Sequence, residues 1–350
     1  MFTQRYLRSS NWFSYAIAFV MLVLSVFFGI SVGTVSIPFS TIGHIFLHQW
    51  FAVPLGADID PMLVNIVMDI RLPRVILAGL VGASLALAGA ALQGLLKNPL
   101  ADPFTLGVSS GASAGAVFVL FFGISLPVIG KFTLPFLAII GGFVTIFAVI
   151  LFAKWIDQMM KIETIILTGI IFSSFLGAFI SLMIALTGEE LRQVIYWLLG
   201  GVSMRGWDYI YLMFPFFLIG VVLLMMNGTE LNILSFGEEK AKHLGVEVLH
   251  RKMLILSAAS VLTGSAVAVS GTIGFVGLVI PHLTRLAWGT DHRHLLPLSI
   301  FHGAAFLIVA DLAARTIISP TELPIGVITA MIGAPVFAMI LMRQRMKRYE

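Results

Sequence analysis

Long apolar runs recur along the chain, separated by short segments that carry nearly all of its Lys, Arg, Asp and Glu. An α-helix rises 1.5 Å per residue, so about 20 apolar residues cross the hydrocarbon core of a bilayer. The runs predict ten helical spans: Trp12–Val32, Val75–Leu96, Thr105–Gly123, Phe132–Ala153, Thr164–Thr187, Tyr209–Asn227, Met253–Ser270, Phe275–Trp288, Leu295–Ala310 and Leu323–Met342. The stretch from Met253 to Thr284 is uncharged, too long for one helix and short for two. Its Gly-rich centre, SGTIGFVG at Ser270–Gly277, predicts a sharp break. Irregular backbone at membrane depth is tolerated only where it packs inside protein or lines a cavity.

Composition closes off other classes. Hydrophobic residues make up 59% of the 350 and charged residues 11%, against about 25% charged in a soluble domain. With no Cys, disulfides, iron–sulfur ligation and thiol catalysis are excluded. The start MFTQRYLRSS leads into an apolar run without a clear cleavage site and reads as a retained first helix. An even number of spans puts both termini on one side. Placing them in the cytoplasm leaves fifteen Lys and Arg in inner segments and six in outer ones, as the positive-inside rule requires.

A shift of 182 positions superimposes Leu80, Gly82, Ala86, Gly89, Leu96, Pro99 and Gly107 on Leu262, Gly264, Ala268, Gly271, Leu278, Pro281 and Gly289, each pair identical. The matched spans run in opposite directions, which is the plan of an inverted-repeat transporter.

Acidic residues are absent from the middles of the spans, which counts against a proton- or ion-coupled carrier. Asp311 and Arg315 stand four apart near an outer helix end, the spacing of an i,i+4 ion pair. No Walker loop or nucleophile–base arrangement occurs, so neither ATP binding nor an intramembrane enzyme is indicated. His282, beside Pro281 and near Arg285, reads as structural. His292 and His294 flank Arg293 in a polar turn without the further ligands a metal needs. The longest charged segment, Asn227–Lys252, is amphipathic and contains a short helix stopped by Gly245, the form of a docking element.

RLPR (Arg71–Arg74), GASLALAGAALQGLLKNPLADPFTLGVSSGA (Gly82–Ala112), SFGEEKAKHLGV (Ser235–Val246), GTIGFVGLVIPHLTRL (Gly271–Leu286), ADLAAR (Ala310–Arg315) and ELPIGVITAMIGAPVF (Glu322–Phe337) together resemble the FecCD family of binding-protein-dependent permeases. The resemblance implies one all-α transmembrane domain over residues 1–350 with the type II ABC importer fold, multi-pass in the cytoplasmic membrane, and a cytoplasmic coupling segment at 228–252. It implies a pair of permease subunits, two ATPase subunits that bind ATP and Mg, and an external binding protein. No cofactor, metal or nucleic acid is expected on this chain. Gly237, Glu238, Glu239, Ala241, Leu244 and Gly245 are expected to couple to the ATPase, Asn98 and Leu100 to line an inner gate, and Arg71, Arg74 and Arg315 to receive the binding protein. Ferric siderophore is the expected cargo, with cobalamin and haem as alternatives.

Overall fold

The computed structural model describes residues 11–33, 35–54, 59–188 and 190–346. The basic start MFTQRYLRSS lies outside them, as do Lys347 and Arg348. Helix α1 spans Asn11–Ser31 and α2 Phe39–Phe51. α3 (Pro61–Asn65) runs through a π-helical segment, Ile66–Arg71, into α4 (Leu72–Leu95). There follow α5 (Val108–Phe122), α6 (Thr133–Ile156), α7 (Ile162–Leu186), α8 (Leu191–Leu198), α9 (Trp207–Met226), α10 (Gly228–Ser235), α11 (Glu238–His243), α12 (Val248–Ser270), α13 (Val276–Trp288), α14 (His292–Thr316) and α15 (Ile325–Met346). The described residues are all-α, and each predicted span falls on its own helix. Seven helices are long and apolar enough to cross a membrane; α5 and the apolar part of α15 are shorter, and α13 has 13 residues.

Helix α4 begins earlier than the charge-free run suggests. With α3 and the π-helical turn it forms one helix from Pro61 to Leu95, about 52 Å long at 1.5 Å per residue. Arg71 and Arg74 lie inside this helix because their charges are met by neighbours.

Small residues decide what sits at the centre. Of the most apolar part of Pro61–Leu95, 89% is buried, against 17% for α7. A Cβ on Gly82 would lie 2.2 Å from the Gly303 carbonyl oxygen of α14, and one on Gly89 would lie 1.9 Å from that of Gly277 in α13. Backbones this close exclude any side chain, which is how membrane helices gain packing without a hydrophobic drive. α12 is the second buried helix, at 78%, so the helical half of the internal repeat maps onto the two core helices. The rest of the repeat does not carry over: Pro99 sits in a turn after α4, whereas Pro281 is inside α13.

The predicted break is present between α12 and α13, where Gly271 and Phe275 have φ of 69° and 68°. It is satisfied by two other breaks. Gly201 N–H donates to the Ser270 carbonyl at 2.7 Å, Ile325 N–H donates to the Gly200 carbonyl at 3.0 Å, and the Thr272 hydroxyl donates to the Leu198 carbonyl. Three non-helical segments thus supply one another's backbone hydrogen bonds, as burial away from water requires.

Ion pairs segregate by end. Lys252–Glu238, Arg251–Glu230 and Arg293–Asp291 join residues expected on the inner side. Arg74–Asp311, Arg74–Glu322, Arg315–Asp311 and Lys131–Asp208 join residues expected on the outer side.

Candidate functional site

The site has three levels: a groove between the helices, the end expected to be inner, built around two loops, and a cluster of charges at the end expected to be outer.

The groove encloses about 560 Å³ between α5, the end of α8, the break after α12 and the start of α15. Ser109, Ser110 and Ser113 lie on its α5 wall, Thr272 on the break, and Val327 and Met331 on α15. No charged side chain lines it among the described residues. The Ser109 and Ser113 hydroxyls are buried and make no hydrogen bond within the chain. Buried polar groups are normally paired, so these two hydroxyls stand out on the groove wall.

At the inner end, the expected gate turn follows α4. The Asn98 side-chain oxygen accepts from Leu100 N–H at 2.9 Å, so Asn98 closes the turn and Leu100 projects from it, 46% exposed. Asp102 accepts from Phe104 N–H at 3.0 Å and caps the short helix that Pro103 opens. Burial pushes the Asp102 carboxyl up to about 6, against the opposing effect of that N–H.

The coupling segment folds as α10 and α11, bounded by Gly237 at φ 118° and Gly245 at φ 82°, conformations that favour glycine. The expected coupling residues separate into two sets. Ala241 is wholly buried in the inner apolar cluster, and Glu238 pairs with Lys252 Nζ at 2.6 Å, which also donates to the Met160 carbonyl at 3.0 Å. These two tie the helix to its own chain, with Ala241 fully buried and Glu238 partly exposed. The apolar period that marked Ala241 as part of a docking face marked instead the face turned to the core. Glu239, Leu244 and Gly245 are exposed, as is Phe236, which sequence reasoning placed only in the amphipathic pattern; Leu244 and Phe236 are 66% and 70% exposed.

At the outer end, Arg71 donates to the Ile30 and Ser31 carbonyls at 2.6 and 3.0 Å and to the Val35 carbonyl. Arg74 grips Asp311 through Nε and Nη2 (2.9–3.1 Å) and Glu322 through Nη1 and Nη2 (2.7 and 3.1 Å). Arg315 reaches Asp311 at 3.5 Å and donates to the Gly29 carbonyl. Arg71 and Arg315 are 5% and 8% exposed. The three guanidinium groups expected to receive a binding protein are thus engaged by carboxylate and carbonyl acceptors of their own chain. The i,i+4 spacing had pointed to the Arg315–Asp311 pair. Glu322 as the second partner of Arg74 had no local signal, since 248 residues separate them.

The histidines serve the fold. His282 meets Phe337 edge-on with ring centroids 6.3 Å apart, His292 Nδ1 lies 2.8 Å from Asn232 Oδ1, and His294 Nδ1 lies 3.1 Å from the Tyr15 hydroxyl.

The model of the FecCD transport family matches residues 21–343. The chain belongs to this family. An uncharacterized ABC transporter permease protein, YvrB, of Bacillus subtilis (strain 168) is 62% identical over 98% of this chain and 97% of its own length. The cobalamin import system permease protein BtuC of Halobacterium salinarum is 42% identical over 83% of this chain and 77% of its own. A solved inward-facing metal-chelate type ABC transporter superposes with a TM-score of 0.82 at 33% identity, covering 95% of this chain and 100% of that one. This FecCD permease is an integral membrane subunit of an ABC importer, a family that works with ATPase and binding-protein partners.

Proposed function

We propose that this permease, paired with a second permease subunit, carries a ferric siderophore into the cytoplasm, delivered by an external binding protein and driven by two ATPase subunits that hold the ATP and Mg. The uncharged, hydroxyl-bearing groove carries the reading. A wrapped chelate presents a bulky surface with its metal charge covered, so it needs room and weak polar contacts more than a charged ligand set. Such a path leaves selection to the binding protein. On this reading both termini lie in the cytoplasm, Leu244, Glu239 and Phe236 meet the ATPase, Leu100 lines the inner gate, and the arginine cluster braces the surface on which the binding protein sits. Cobalamin is the second reading, favoured by the 42% identity to a cobalamin permease.

Uptake of radiolabelled ferric siderophores, cobalamin and haem by cells lacking and regaining the gene tests the choice. Gene-dependent siderophore uptake is the expected result. Gene-dependent cobalamin uptake without siderophore uptake refutes the first reading, and no gene-dependent uptake of any chelate refutes both.

A further inference from the structure

A second polar cavity, about 430 Å³, opens at the inner end between the C-terminus of α4, the end of α10 and the α13–α14 turn. Its lining includes Lys97, Arg285, Asn232, Phe236 and Asp291. The one acid among them is already satisfied. Asp291 accepts from Arg293 at 2.7–3.1 Å and from the Asn232 amide at 2.7 Å, and those contacts, with the Arg293 hydrogen bonds foremost, hold its carboxyl well below the usual range. The cations are not satisfied. Arg285 spends one nitrogen on Gln93 Oε1 at 3.0 Å, and among the described residues no other hydrogen bond or ion pair uses its fork. The Lys97 ammonium makes no ion pair or hydrogen bond among the described residues. Its backbone holds φ at 49°, a conformation rare for a side-chain-bearing residue. This directs its ammonium toward the coupling segment, with Nζ 4.0 Å from where a Cβ on Gly237 would lie.

Two cations facing one cavity repel each other unless an anion joins them. Phe236 lines the cavity and is also one of the exposed residues, with Glu239 and Leu244, on which the proposed function seats the ATPase. We infer that the pocket receives an aspartate or glutamate side chain of the ATPase partner, clasped between Lys97 and the Arg285 fork. This deepens the proposed function and rests on it. The consequence is mechanical. Lys97 immediately precedes Asn98 of the gate turn, and Arg285 is tied through Gln93 to the Gly277 and Leu278 carbonyls at 3.2 and 3.0 Å. A carboxylate held there links the partner directly to the gate turn and to α13, in parallel with the contact through α11.

The absence of Cys from the chain makes the test clean, because Lys97→Cys introduces the only thiol. Lys97 is exposed in a turn, so the variant is expected to melt as the parent does. In the complex with its ATPase, Lys97→Cys should weaken association about tenfold, the size of a lost charge-assisted hydrogen bond, and flatten its salt dependence. Aminoethyl methanethiosulfonate, which restores a cation, should recover both, and sulfonatoethyl methanethiosulfonate should not. Wild-type affinity and salt dependence in the sulfonatoethyl adduct would overturn the inference. Protection of the thiol by millimolar inorganic phosphate in the permease alone would also overturn it, showing a free-anion site. If Gly245→Pro disrupts assembly while every Lys97 form is silent, the pocket claim falls and the proposed function stands. If the wild-type chain assembles with no ATPase, both fall together.

Discussion

Arg74 shows what a charge does inside a helix that crosses apolar surroundings. It survives there because Asp311 and Glu322 surround it. Removing one partner of a buried ion pair costs about 3–5 kcal/mol. Arg74→Glu is therefore expected to lower the melting temperature of the purified permease with no binding protein present. An unchanged melt, combined with slower docking, would return Arg74 to a recognition role. Asp102 gives a pH signature. Its carboxyl is raised from 3.8 to about 6, so the neutral form is favoured in the fold. The stability this contributes is full below about pH 4 and is lost as pH rises through about 6. Melting measured across that window should fall for the parent and stay flatter for Asp102→Asn, which keeps an oxygen to accept from Phe104.

At the scale of elements, the coupling helix separates anchoring from contact. Ala241→Glu would bury a carboxylate in the inner apolar cluster and is expected to lower the melting temperature of the chain itself. Leu244→Asp alters an exposed knob and is expected to leave melting unchanged while ATPase-driven uptake falls several-fold, a loss in the range of interface anchors. Equal melting of the two variants would contradict this division. The spans were readable because apolar runs of helical length dominate the chain. The coupling segment was readable from its amphipathic pattern, but its burial was not: period alone gives a face and not which body that face touches. α2 and α8 had no signal of their own, because short helices between spans are defined by what they pack on. The partners of the outer arginines were hard to read for a related reason. The i,i+4 spacing placed Asp311 beside Arg315, but only tertiary contact brings Asp311 and Glu322 to Arg74.

At the scale of the molecule, the expected orientation rests on the charge asymmetry of the sequence. A C-terminal reporter that works only outside the cytoplasm is expected to be silent, and a cytoplasmic fluorescent fusion bright; the reverse would invert every inner and outer assignment. The groove could not be read from sequence, since its walls come from α5, α8, the break after α12 and α15, brought together only by the fold. The mutual backbone bonding of those breaks sets how this core behaves in time. The Gly201 and Ile325 amides are each held by a carbonyl of another segment. Their deuterium uptake should be slow and correlated, and turnover of the assembled importer should speed both together if opening parts the breaks. If opening carries them as one rigid unit, both amides stay protected through the whole cycle, and the moving parts are the helices around them.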